Sequence, residues 1–114
     1  MPKVYITCQP VCYINGERRP DMDLTPAAEY GDIEVLMPES QVLVSPVPTI
    51  RVLREKLKNF SDEDYIVPVG DPCLSSIVAM VAGQMNSGRV KFLKWDRRLH
   101  RYLSIQADIS GRAI

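Results

Sequence analysis

One stretch limits the fold more than any other: Asp64 to Phe92, DYIVPVGDPCLSSIVAMVAGQMNSGRVKF. An apolar run through Tyr65, Ile66, Val67 and Val69 stops at Gly70. Asp71 then offers a side-chain oxygen to cap a helix. Pro72 suits the first helical position, where no N–H is required. The next fourteen residues carry no Lys, Arg, Asp or Glu. Leu74, Ile77, Val78, Val81 and Met85 recur at three- and four-residue steps, the spacing of a buried helical stripe. Asn86-Ser87-Gly88 ends that helix, and Gly88 is suited to a left-handed turn. A second apolar run follows, so the stretch predicts a βαβ unit over 64–92.

The rest of the chain supplies further strands and one more helix. Lys3–Thr7 alternates polar and apolar residues, with Val4 and Ile6 on one face. Val11–Ile14 resumes an extended run before the turn signal Asn15-Gly16, and Glu17–Asp21 reads as a polar loop. Residues 1–23 thus form a hairpin-like excursion. Thr25-Pro26-Ala27-Ala28-Glu29-Tyr30-Gly31 reads as a short helix with Thr25 as N-cap. Ile33–Met37 and Gln41–Val44 are extended, and Ser45-Pro46-Val47-Pro48 reads as a stiff linker. Thr49–Phe60 is amphipathic, with Ile50, Leu53, Leu57 and Phe60 on one face. Pro68 places its own strand, the run that opens with Tyr65, at a sheet edge, or marks a local irregularity in it.

Arg89–Trp95 and Tyr102–Ile109 form a β-hairpin. The preferred register sets Phe92 opposite Leu103 and Val90 opposite Ile105, with Asp96–Leu99 as the loop. Leu93, Trp95 and Tyr102 then share a face with Lys91 and Ser104. Residues 110–114 read as a loose end. The expected architecture is a single α/β domain over 1–114, with a mixed sheet of about five strands and two main helices.

At 114 residues the chain is long enough for one core and too short for two. No apolar run reaches the roughly 20 residues that cross a bilayer, which argues against a membrane partner. The N-terminus lacks the segments of a signal peptide, so the expected location is cytoplasmic. The three cysteines Cys8, Cys12 and Cys73 do not make a disulfide framework. Cys8 and Cys12 have no second Cys/His pair to complete a metal site, and His100 is the lone histidine. No cofactor is expected. Net charge is zero but unevenly spread: residues 89–114 hold seven basic and two acidic side chains, and residues 1–88 hold seven and twelve. A molecule with two such ends can bind a polyanion or associate with copies of itself.

Two stretches are candidate binding sites. Gly70-Asp71, with Ser75 and Ser76 in the first helical turn, lies where α/β folds gather anions beyond strand ends. Asp71 and Pro72 weigh against a phosphate there, one by its charge and the other by its missing donor. The hairpin RVKFLKWDRRLHRY sets Lys94, Arg97, Arg98 and Arg101 around Trp95, a pattern suited to single-stranded nucleic acid. Catalysis finds little support. A pairing of His100 with Cys73 or Cys12 would need the fold to unite them, and Asp62, Glu63 and Asp64 read as a solvated connector. The uncharged helix Cys73–Met85 points to interaction instead. Its outer side offers Ser75, Ser76, Ala79, Ala82 and Gly83, to be covered by neighbouring elements or by another chain.

The segments Val69-Gly70-Asp71-Pro72, Gly88-Arg89, Leu93-Lys94-Trp95-Asp96-Arg97 and Arg101-Tyr102 resemble short proteins of unknown function encoded by tailed bacteriophages. Thr25–Gly31 fits the same likeness, which covers residues 24–108. The resemblance implies a setting, an infected bacterium, and no mechanism. The expected function is that of a non-enzymatic accessory protein. It would self-associate as a homo-oligomer and bind a host or phage protein. Nucleic-acid binding by the hairpin, or small-anion or nucleotide binding at Gly70–Ser76, are the alternatives.

Overall fold

A computed structural model describes residues 2–8, 24–37 and 46–112, and the backbone of 11–14 and 17–20. The strands are β1 Lys3–Cys8, β2 Val11–Ile14, β3 Glu17–Pro20, β4 Asp32–Met37, β5 Tyr65–Val67, β6 Arg89–Asp96 and β7 Arg101–Asp108. The helices are α1 Val47–Lys56 and α2 Pro72–Met85, and Thr25–Glu29 forms a short 3-10 turn. A five-stranded mixed sheet runs in the order β4-β1-β5-β6-β7. Its first three pairings are parallel and the last is antiparallel. β2 and β3 pair separately as an antiparallel ribbon, so Glu17–Pro20 is a strand where a polar loop was expected. The expected strand at 41–44 and the Asn15-Gly16 turn lie outside the described residues.

The expected βαβ unit is present: α2 joins β5 to β6, which lie side by side and parallel. Asp71 caps α2 by accepting from the Cys73 N–H at 2.8 Å, with Pro72 at the first helical position. At its far end Gly88 has φ +82°, and a Cβ there would collide with the Ile109 side chain. Glycine is required at that point. Ser87 also takes a left-handed conformation, at φ +55°.

Two layers cover the sheet. Tyr5 packs against Phe60, which follows α1, with ring centroids 5.9 Å apart. Val90 lies beneath Gly83 of α2. Tyr5, Ile66, Phe92 and Val90 therefore face the helices, since Tyr5 pairs with Ile66 and Ile66 with Phe92. The other face carries Tyr65, Lys91, Leu93, Trp95 and Tyr102. Tyr30 covers it, edge-on to Tyr65 at 5.2 Å, and donates its hydroxyl to the Tyr102 carbonyl at 3.4 Å. Lys91 Nζ sits 4.2 Å from the centre of the Tyr65 ring.

Several local expectations are corrected. All of Val4–Cys8 is buried, not one face of it, because β1 lies inside the sheet with a layer on each side. β5 is central rather than at an edge, and its ladder stops at Val67, just before Pro68. The irregularity that Pro68 requires is the end of the strand. α1 begins at Val47, with Pro48 in its first turn, where a proline costs no hydrogen bond. Leu24, not Thr25, is the N-cap of the 3-10 turn. The β6–β7 hairpin pairs Phe92 with Ile105 and Trp95 with Tyr102. This register is two residues from the expected one and keeps every side chain on its expected face. The loop is 97–100 because Asp96 remains in the strand, accepting from the Arg98 and Leu99 N–H groups at 2.9 and 3.2 Å. His100 closes it at φ +50°. Asp108 also holds the chain after β7, taking the Ser110 N–H on its carboxylate and the Gly111 N–H on its carbonyl.

Candidate functional site

The chain leaves β1 for β4 on one side and leaves β5 for β6 on the other. The carboxyl ends of β1 and β5 are thus the switch point where α/β sheets open a crevice. The Gly70-Asp71 turn lies at this place. The Thr7 hydroxyl accepts from the Val69 N–H at 2.6 Å and donates to the Val69 carbonyl at 2.7 Å. The buried Cys8 thiol donates to the same carbonyl at 3.3 Å, and the Ser75 hydroxyl lies 3.4 Å from it. Ser76 donates to the Pro72 carbonyl at 2.8 Å. Gly70 is exposed at φ +83°. Much of the turn's polar equipment is therefore engaged within the chain, and a carboxylate already occupies the helix N-terminus.

The hairpin reaches the same edge. β6 runs three residues beyond the level of Val67, about 10 Å at roughly 3.3 Å per residue, and carries the loop 97–100 to the same end of the sheet as the Gly70-Asp71 turn. Lys94, Arg97, Arg98 and Arg101 are exposed on this projection, and none is in an ion pair among the described residues. All the expected binding residues thus gather at one edge of the sheet. The aromatics are placed differently from a stacking platform. Tyr102 is buried, and Trp95 packs between Tyr102 and His100, at centroid distances of 4.9 and 6.1 Å. Phe92 is half-buried on the helix face.

The opposite edge holds groups that the sequence reading undervalued. Asp64 is buried; it accepts from the Lys3 N–H and the Ser61 N–H, each at 2.9 Å, and from the Ser61 hydroxyl at 3.3 Å. It ties the start of β1 to the connector before β5. Asp62 accepts from Arg89 Nε at 3.0 Å and from Asn86 Nδ2 at 2.8 Å. The connector 62–64 is therefore partly structural rather than merely solvated. Its i, i+2 carboxylates, followed by Arg89 at the start of β6, were the available signal. Asp62, Asn86, Arg89 and Lys91 line a shallow depression of about 210 Å³. Among the described residues no group of three or more His, Cys, Asp or Glu is placed to hold a metal. Cys73 is exposed and Cys8 buried. The Cys12 side chain lies outside the described residues.

The Arg89 hydrogen bond, then that of Asn86, holds the Asp62 carboxyl below its ordinary pKa of 3.8, and the same pair raises the Arg89 guanidinium. A carboxyl depressed by folding stabilises the fold above its unfolded pKa, and that contribution is lost as pH falls through the folded value. Acid melts should therefore show Asp62→Asn converging on the parent only below about pH 3.8. An unchanged gap down to the lowest pH would sink the assignment. The pair lies open to solvent, the Arg89 side chain at 41% and that of Asp62 at 65%, so the gap should also shrink with salt.

A family model, Phage Pam3 gp32-like protein, matches residues 2–109. The chain belongs to this family. It is a phage protein, and the match takes in residues 2–23, which the sequence resemblance covered less clearly and of which β1 is a central strand of the sheet rather than part of an excursion. No curated protein and no solved structure matches it. No helix among the described residues is long and apolar enough to cross a membrane.

Proposed function

We propose that this protein is a non-enzymatic accessory factor that self-associates and binds another protein in the cytoplasm of the infected bacterium. The outer face of α2 carries this reading. Cys73, Ser76 and Met80 lie exposed along it, Met80 at 73%, and no charged residue interrupts them, whereas Ala82 and Gly83, expected on this side, turn inward, Ala82 fully buried and Gly83 over Val90. Val52 of α1 is exposed as well, at 42%. A surface helix facing only water normally turns charged residues outward, as α1 does with Arg51, Arg54 and Glu55. An uncharged, partly apolar outer face suits a partner. Sedimentation velocity at micromolar concentration should find the protein larger than one chain. Affinity purification from infected cells should recover a defined protein with it. A strict monomer would remove the self-association, and purification of the protein alone would remove the partner.

One observation favours a second reading, nucleic-acid binding. Among the described residues the four cations of the hairpin have no carboxylate partner, and they are exposed on the projecting end of β6 and β7. Binding should then weaken steeply with salt and disappear in the double variant Arg97→Glu, Arg98→Glu. The aromatic surface that would add stacking is instead spent on packing Trp95 against Tyr102 and His100. No oligonucleotide binding at low salt would end this reading.

A further inference from the structure

The two edges of the sheet are not alike. β4 presents Asp32 and Glu34, and Glu34 pairs with Lys3 at 3.2 Å. Charged side chains of this kind keep an edge from pairing with another chain. Between Arg101 and Asp108, β7 has no charge, no proline and no glycine. Its register with β6 continues residue for residue from Arg101 to Asp108, without a bulge. Ser104, Ile105, Gln106 and Ala107 are all exposed. None of the usual protections of an edge strand is present along these residues.

The backbone identifies which groups are open. Ile109 N–H donates to the Gly88 carbonyl at 2.9 Å. In an antiparallel ladder the bonded pairs alternate, so residues 103, 105 and 107 turn their backbone groups toward β6. Residues 102, 104, 106 and 108 turn theirs outward. Two of the outward carbonyls are already engaged: Tyr102 accepts from Tyr30, and Asp108 from the Gly111 N–H. Ser104 and Gln106 are left with backbone donors and acceptors facing away from the sheet.

We infer that β7 pairs antiparallel with β7 of a second copy about a two-fold axis at Ile105, which joins the two sheets into one. This inference rests on the self-association proposed above and assigns its surface. Of the symmetric registers, this one draws on the open groups: Ser104 of each chain exchanges both backbone bonds with Gln106 of the other. Ile105 meets its own copy and Leu103 meets Ala107, so apolar residues of the helix-side face lie together. In this register Arg101 of each copy stands opposite Ile109 of the other and Asp108 opposite Tyr102, so no like charges are set directly against each other along the seam. A foreign strand would have to supply that pattern; a second copy carries it already. The outer face of α2 stays free for the protein partner.

The test uses the full chain. The parent should sediment as a dimer, and Ile105→Lys, which sets two ammonium groups against each other at the axis, should weaken dimerisation at least about tenfold. Ile105 is 46% exposed, so the variant should keep the circular dichroism of the folded chain. Ile105→Cys, made together with Cys73→Ser, should form a disulfide dimer on mild oxidation, because Cα atoms of a non-bonded pair lie about 4.5 Å apart. Cys73→Ser alone should not. If Ile105→Lys fails to fold, the cross-link decides. A dimer that survives Ile105→Lys, or one in which Ile105→Cys does not cross-link, overturns the β7 interface and leaves self-association standing. A monomeric parent overturns both.

Discussion

Ile66→Ala should lower stability by about 2–5 kcal/mol and the midpoint of thermal unfolding by roughly 10 °C or more. Ile66 is fully buried at the middle of the sheet, paired with Tyr5 on one side and Phe92 on the other, and faces the helices. Its strand is only three residues long, so each buried side chain carries a large share of the packing that holds β5 in place. The cost has two parts: the apolar surface no longer buried, and the cavity that the surrounding strands cannot close. Ile66→Val removes one methylene and should cost only about 0.5–1.5 kcal/mol. A natural domain has roughly 5–15 kcal/mol in total, so the alanine variant should unfold at visibly lower denaturant. Chemical melts of the two variants check the ratio. Equal losses would mean that β5 is not tightly packed between its neighbours.

What the sequence discloses here is what neighbouring residues decide together. Asp71-Pro72 caps α2 and Gly88 ends it because the capping group, the missing N–H and the left-handed turn act within a few residues. The faces of β6 and β7 are also legible, since alternation puts Leu93, Trp95 and Tyr102 on one side whatever the loop. The register is not, because a shift of two residues preserves every face. Only the left-handed His100 and the Asp96 carboxylate turned onto the loop amides select it. Pro46 and Pro48 read as breakers, yet a proline in the first turn leaves the helix ladder intact. Strand order is the least legible feature. Nothing near Pro68 says that its strand lies between β1 and β6, since those neighbours are far away in sequence. For the same reason the sequence names both the Gly70-Asp71 turn and the cationic hairpin without showing that they share an edge. The outward backbone groups of β7 depend on register too, and escape any reading by composition.

Thr7→Val should cost about 2–3 kcal/mol although it keeps the shape of the side chain. Pro68 ends the β1–β5 ladder, so the backbone of Val69 has to find its partner elsewhere. It finds Thr7, whose buried hydroxyl accepts from the Val69 N–H and donates to the Val69 carbonyl. Valine would remove the acceptor and leave that N–H unpaired in the core, at roughly 1–3 kcal/mol for a buried unsatisfied group. The carbonyl is better protected, because the Cys8 thiol and Ser75 hydroxyl still reach it. Thr7→Ser keeps the hydroxyl and loses a methyl, so its cost should be nearer 1 kcal/mol. The order of the two variants separates polar from apolar causes: packing alone would make valine the milder change. Amide exchange at Val69 gives an independent readout, and should speed up in Thr7→Val and hold in Thr7→Ser. Because Val69 leads directly into Gly70 and Asp71, the same loss should loosen the carboxyl-edge turn while leaving the pairing of β6 with β7 in place.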